Sequence, residues 1–210
     1  MPQQLKPEVR EKIIDAGLHA FAASGFRVTT MQEVATGAGI STGNTYRYFA
    51  DKRALFEAVV PARFCRDLLR LLRQRIEALK GIDDVRSLSA DAPYHLLSEE
   101  LLRFCVEHRL RVVVVLTRAE GSPRARFGER VVGSLMRLAT AHAASLGQPV
   151  RLTRAQRFAL EQIYGGFIRA MAQILEQHED EAAIRSAVEA YTSYHLAGLR
   201  GFFAGNGAAA

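Results

Sequence analysis

The stretch Thr29–Leu55, TTMQEVATGAGISTGNTYRYFADKRAL, decides how the rest of the chain is read. Thr30 followed by Glu33 is a capping box, in which the hydroxyl accepts from the Glu33 amide and the carboxylate reaches back to the Thr30 amide. Thr29 with Gln32 would make the same box one residue earlier, which leaves the helix start open by one position. Val34, Ala35 and Ala38 follow at helical spacing, with the small Ala35 placed for a close helix crossing. Gly39 stops this helix, because a left-handed C′ position suits a residue without Cβ. Ile40 is expected to be the buried apolar contact of the turn, and Ser41 the N-cap of a second helix running through Phe49.

On a 3.6-residue period Thr45 and Phe49 share the inward face with Ser41, while Gly43 and Arg47 lie opposite, flanked by Asn44 and Tyr46. The outward face is short, polar and basic. This is a helix-turn-helix, a motif that puts its second helix into the DNA major groove with its N-terminal residues nearest the base edges. Thr42, Gly43, Asn44 and Arg47 are the candidates for reading bases: Asn suits a bidentate pair with adenine, Arg one with guanine, and Gly43 lets the backbone approach. Thr30, Tyr46, Tyr48 and Lys52 are placed by type and face to hold phosphates, which sets register without reading sequence.

Thr30, Val34-Ala35, Ala38-Gly39-Ile40-Ser41, Gly43, Tyr46, Tyr48-Phe49, Lys52 and Leu55 together resemble the DNA-binding domain of the TetR family of transcriptional regulators. The motif is long, gapless and covers roughly the first quarter of the chain. Thr45 departs from it, standing where the family usually has a large aliphatic residue. A bond from its hydroxyl to the Ser41 carbonyl would soften the polar cost and can bend the helix, which bears on the tilt of the helix.

The resemblance implies an all-α fold: a three-helix helix-turn-helix domain over residues 1–50 and a helical effector-binding and dimerisation domain over 51–204; the last residues, 205–210, read as a disordered tail. It further implies a homodimer joined through the last two helices as a four-helix bundle, a near-palindromic operator on double-stranded DNA, and repression relieved by a small effector. Two-fold symmetry would set the two recognition helices about one DNA turn apart. Phe64, Leu68, Leu101, Phe104, His108, Met136, Phe167 and Met171 are the candidate effector contacts, and their aromatics, Met and few charges suit an apolar or aromatic molecule. Ile163, Gly166, Phe167, Ala170, Val188, Tyr191, His195, Gly198 and Phe202 are the candidate dimer contacts.

Composition agrees with a globular chain. It has 210 residues, 49% hydrophobic and 24% charged, with a net charge of +6 and a pI near 9.7. That suits a polyanionic partner. The surplus is uneven: residues 1–60 carry seven basic side chains against six acidic, whereas 61–80 carry six against two. The second segment reads as a solvated helix face, with a further DNA-facing surface as the alternative. Cys65 and Cys105 lie far apart, with no second Cys at metal spacing beside either, and read as buried, unoxidised thiols, with a redox pair as the alternative. There is no signal-peptide pattern, and no apolar run approaches the ~20 residues of a membrane span. A cytoplasmic protein follows by elimination.

In chain order, Met1–Lys6 is a loose arm and Pro7 opens a helix whose apolar face is Ile13, Ala16, Gly17, Ala20 and Phe21. That helix is expected to end at Gly25, with Phe26 and Val28 folded onto the same core. Asp51 caps the next helix, which Pro61 interrupts near Val60. Lys80–Ala92 reads as a connection with one short turn, and Pro93 opens another helix. Val112–Leu116 has strand propensity but no partner strand, and so reads as a buried helix. A helix follows from about Pro123 to Leu146, ended by Gly147 and Pro149. Leu160, Ile163, Phe167, Ala170 and Ile174 form one stripe and Ile184, Val188, Tyr191, His195, Gly198 and Phe202 a second, with Gly165 and Gly166 pointing to a close helix approach.

Two alternatives stay open: a DNA-binding protein without an effector, and a small helical enzyme. Against the enzyme, His95, His108, His142, His178 and His195 are scattered, with no His-x-x-x-His pair, no nucleophile elbow and no phosphate loop after a strand. No catalytic residue, metal ligand or cofactor is therefore assigned.

Overall fold

The computed structural model describes residues 5–147 and 150–205. The arm at 1–4, Pro149 and the tail at 206–210 lie outside the described residues, while Gly205 closes the last helix and is not part of a tail. Ten α-helices occur among the described residues, with no strand. They are α1 (Pro7–Val28), α2 (Met31–Gly37), α3 (Thr42–Tyr48), α4 (Lys52–Val59), α5 (Ala62–Glu77), α6 (Pro93–Glu107), α7 (Arg109–Thr117), α8 (Phe127–Ser145), α9 (Arg154–Gln177) and α10 (Glu181–Gly205). Two compact units emerge, one of residues 1–66 with 108–128 and one of 67–107 with 129 onward.

The first unit is built on aromatic rings from three points of the chain. Phe21, Phe26 and Phe56 pack with centroids 5.1–5.7 Å apart, within the range where tilted and edge-to-face contacts are favourable. Ile13, Val34, Leu55, Val59 and Val60 complete the interior with no exposed surface. The valines of α7 are also buried here, and that helix packs on α1. Strand propensity gives way at Val112–Val115 because a helix satisfies its own backbone groups in an apolar interior.

Gly25 controls how α1 ends. The helix continues to Val28 but turns sharply at Gly25, whose φ of 80° and ψ of 158° suit a residue without a side chain. The turn frees the Phe26 amide to donate to the Arg118 carbonyl at 2.9 Å. Thr29, fully buried, donates its hydroxyl to the Gly25 carbonyl at 2.8 Å and lies 3.1 Å from that of Ala20. Val28 does not join the core: it is 66% exposed, because the kink sends Phe26 inward and swings the next turn out. Ile40 is half-buried, less enclosed than a turn contact was expected to be.

Proline acts as expected at Pro61. α4 ends at Val59, Val60 caps it, and α5 starts at Ala62. α8 begins at Phe127, four residues later than expected, because Ser122 organises a tight turn in which its hydroxyl accepts from the Arg124 amide. Lys80–Ala92 carries a 3-10 segment at Val85–Ser87 and a second turn closed by the Ala92 amide on the Ser89 carbonyl at 3.0 Å, one more than expected.

In the second unit the buried stripe of α9 is Leu160, Tyr164, Ile168, Ala172 and Leu175, one step round the helix from the one read in the sequence. Ile163 is exposed, and Phe167, Ala170 and Ile174 are half-buried. On α10, Ile184, His195, Leu199 and Phe203 are buried, Val188, Tyr191 and Phe202 half-buried, and Gly198 exposed. Among the described residues no other helix makes the close approach expected at Gly165 and Gly166. A Cβ at Gly166 would meet nothing within 4 Å, and one at Gly165 would meet the Arg169 side chain at 3.3 Å.

Two polar features of this unit stand out. The Arg75 guanidinium hydrogen-bonds the Ser98 hydroxyl at 2.9 Å and the Tyr94 hydroxyl at 2.6 Å, and stacks over the Tyr94 ring. His195 packs on Phe167 at 4.2 Å and Tyr164 at 5.2 Å, and its Nε2 is buried without a partner. Burial, seconded by the charge of Arg75, pushes the His195 pKa down to about 4. Cys65 is buried and Cys105 half-buried, neither in a disulfide. Desolvation pushes the Cys105 thiol up to about 12, which makes it a poor nucleophile.

Gly25→Ala should destabilise the fold by about 1–3 kcal/mol, since alanine at that φ and ψ is strained; urea denaturation measures it. His195 generates a pH prediction. With its folded pKa below the unfolded 6.5, the unfolded chain takes up the proton first, so stability is full above 6.5 and falls as pH drops toward 4. Urea midpoints should fall between pH 7.5 and 5, and His195→Phe should flatten that slope, leaving the part due to His142, which is shifted in the same direction.

Candidate nucleic-acid interface

α2 and α3 are held by local chemistry at each end. The capping box is complete: the Glu33 amide donates to Thr30 Oγ1 at 3.2 Å and the Thr30 amide to Glu33 Oε2 at 2.7 Å. Gly39, at φ 68°, takes the left-handed position after α2, and the Ile40 amide returns to the Ala35 carbonyl at 3.0 Å. Ser41 Oγ accepts from the Asn44 amide at 3.2 Å and opens α3. Asp51 then accepts from the Ala54 amide at 2.7 Å and opens α4.

Beneath α3 the anchors are Thr45 and Phe49. Thr45 is fully buried and its hydroxyl turns back to the Ser41 carbonyl at 3.4 Å. That bond lets a polar side chain occupy an apolar site. Phe49 is buried under the Arg10 guanidinium, which lies 5.4 Å from its ring centroid. With these two residues held inward, helical periodicity turns the opposite face to solvent. Gly43, Tyr46 and Arg47 are exposed, and Thr42 and Asn44 half-buried. A Cβ at Gly43 would meet nothing within 4 Å.

The four residues read as phosphate contacts have different surroundings. Thr30 is exposed, its hydroxyl engaged in the cap. Tyr46 is 50% exposed. Tyr48 is half-buried, and its hydroxyl accepts from the Lys6 amide at 3.1 Å, tying the N-terminal segment to α3. Lys52 turns its ammonium onto the end of α1, donating to the Thr29 carbonyl at 2.6 Å and the Arg27 carbonyl at 3.3 Å, 4.7 Å from the Phe26 ring centroid. Lys6 and Arg10 border this face and were not singled out in the sequence, where nothing distinguishes them from other basic residues near a helix start.

Residues 13–59 match the sequence model of the family described as "Bacterial regulatory proteins, tetR family". These residues are a TetR-family helix-turn-helix domain. Over 48 residues the chain is 46% identical to the uncharacterised HTH-type transcriptional regulator YerO of Bacillus subtilis, a match covering 23% of this chain and 17% of that protein. Over 56 residues it is 38% identical to the HTH-type transcriptional regulator SrpR of Pseudomonas putida, covering 27% and 26%. Over 80 residues it is 30% identical to the HTH-type transcriptional repressor KstR2 of Mycobacterium tuberculosis, covering 35% and 40%. The matched part thus spans less than half the length of each of these relatives. Among solved structures, AmtR of Mycobacterium smegmatis is 20% identical with a TM-score of 0.44 over 92% of this chain and 97% of that one. NalD, the secondary repressor of the MexAB-OprM multidrug efflux pump in Pseudomonas aeruginosa, is 17% identical with a TM-score of 0.41 over 87% and 92%.

Outside the TetR-family domain, the candidate effector contacts fall in both units. Phe64 and His108 lie in the first, their rings edge to face at 5.6 Å. Leu68, Leu101, Phe104, Met136, Phe167 and Met171 lie in the second, with Leu68 buried and the other five half-buried. A cavity of about 230 Å3 in the second unit is lined by none of these eight. No helix is long and apolar enough to cross a membrane, and no three His, Cys, Asp or Glu side chains could hold a metal ion, among the described residues.

Gly43→Ala separates fold from function at this face. The added methyl meets open space, and alanine is the better helix former by about 0.5–1 kcal/mol in a helix interior. The thermal midpoint should hold or rise while affinity for duplex DNA falls, read by thermal denaturation alongside fluorescence anisotropy.

Proposed function

We propose that the chain is a DNA-binding transcriptional repressor that acts in the cytoplasm as a homodimer on a near-palindromic operator and is released by a small effector. One observation carries this reading: a capped, buried-edge helix whose outward face is Thr42, Gly43, Asn44, Tyr46 and Arg47. A backbone-exposing glycine beside an amide and a guanidinium is the side-chain set that major-groove base edges recognise. Residues 1–50 form the DNA-binding domain in this reading, steadied by the helices packed against it, and 51–204 the effector-binding and dimerisation domain.

Support for the dimer comes from α9 and α10. Ile163 is exposed, Phe167, Ala170, Val188, Tyr191 and Phe202 are half-buried, and Gly166 and Gly198 have open space beside them. A second copy meeting these helices would cover apolar surface and give the two helical glycines a packing role. His195 contributes from beneath, as a buried support for Phe167. Release follows if the effector binds more tightly to the arrangement of the dimer that misaligns the two recognition helices.

Selection on random duplexes tests the reading. The wild-type protein should enrich a two-fold symmetric site. Asn44→Ala and Arg47→Ala should each relax preference at particular base pairs, by about 1–3 kcal/mol per bidentate contact. Uniform weakening would move these residues to phosphate contacts. Failure to enrich any sequence, or a protein monomeric at every concentration in sedimentation equilibrium, would overturn the proposal.

A further inference from the structure

The start of α1 is seated on the end of α3. Lys6 is the N-cap of α1, extended as a residue before proline is expected to be, and its side chain makes no cap. Its backbone amide lies outside the helical bonding of α1 and needs an acceptor from elsewhere. The Tyr48 hydroxyl, at the last position of α3, accepts that amide at 3.1 Å. One turn further along α1, the Arg10 guanidinium lies over the ring of Phe49, the C-cap of α3, and pairs with Glu11 at 3.2 Å. Two successive residues at the end of α3 therefore hold two points of the α1 start.

That seat places Lys6 beside the surface that meets DNA. Tyr48 is half-buried on the flank of α3, next in the chain to the exposed Arg47. A helix about 10–12 Å across with its side chains fills a major groove about 12 Å wide. What abuts its flank therefore lies over the phosphates that rim the groove. Lys6 is exposed, and among the described residues its ammonium pairs with no carboxylate. Arg10 is already engaged by the Phe49 ring and Glu11. Glu8, also exposed, stands two residues from Lys6, a spacing at which helical side chains do not face each other. A lysine is a compact charge on a flexible stem, so fixing its backbone narrows the region its ammonium can reach.

The geometry points to Lys6 as a further phosphate contact of the DNA complex and to Tyr48 as the positioning residue that holds it at the rim of the groove. The inference rests on the DNA-binding reading and deepens it. Tyr48 acts through the Lys6 backbone, and Lys6 supplies the charge. The contact carries no sequence information, because it fixes how α3 is seated and leaves the base edges to the outward face of that helix.

The test is fluorescence anisotropy of the full chain with a labelled random-sequence duplex pool over a series of KCl concentrations, since a phosphate contact forms at any sequence. Lys6→Gln should flatten the slope of log K against log[salt] by about 0.9 per bound protomer and weaken binding about three- to tenfold. Lys6→Arg should recover what Lys6→Gln loses. Tyr48→Phe removes only the hydroxyl and should also flatten the slope, by no more than Lys6→Gln does, with no further loss when the two substitutions are combined. A slope unchanged in Lys6→Gln overturns the proposal. So does a Tyr48→Phe loss that persists undiminished in the Lys6→Gln background, which would place Tyr48 itself on a phosphate, or a Tyr48→Phe protein that loses thermal stability while keeping its slope, which would leave the bond a purely structural one. In each of these cases binding by the wild-type protein leaves the DNA-binding reading standing. A wild-type protein that binds no duplex overturns both.

Discussion

The burial of Thr45 and Phe49 beneath α3 is the constraint on which the candidate interface depends. With only seven residues, α3 cannot be stable by propensity and owes its place to packing and to its caps. Once those two side chains are inside, the helical period leaves no freedom about which residues face out. Thr45 achieves this as a polar residue because its hydroxyl finds the Ser41 carbonyl. The same serine caps the helix start, so one residue serves both the entry to α3 and the anchor beneath it.

The frame around α3 is joined at few points, each a backbone group that needs a partner. Gly25 breaks α1, and the freed Phe26 amide is taken up by Arg118. Carbonyls at the end of α1 are taken up by the Lys52 ammonium. Lys52, which by type and position suggests a phosphate contact, thus also closes a helix C-terminus, where a positive charge meets the negative end of the helix dipole. Arg111 does the same at the end of α4, donating to the Val59 carbonyl at 3.0 Å. The first unit is therefore held by cations on helix ends as well as by its aromatic core.

In the second unit the buried polar groups set the chemistry. Arg75 is held by two neutral hydroxyls and an aromatic ring, and its charge helps to keep His195 neutral. His195 and His142 each leave one buried nitrogen without a partner, but His142 lines a cavity and His195 is packed between Tyr164 and Phe167. Burial lowers the pKa of both rings, so both contribute to the fall of stability with acid.

Local signals in the sequence determined the helix-turn-helix almost to the residue. The Thr30–Glu33 box, Gly39, Ser41, Asp51 and Pro61 all act within one helical turn of themselves, so their consequences are legible without knowing what lies across the fold. The inward places of Thr45 and Phe49 followed from the period alone. Tertiary structure alone decided that Val28 faces solvent, that the buried stripe of α9 runs through Tyr164 and Ile168, that α7 packs on α1, and that Lys52 faces a helix end. It also decided where the cavity lies. Each of these depends on residues far apart in the chain coming together, and the free energy of such contacts is set by which surfaces meet, something no short-range pattern of side chains encodes.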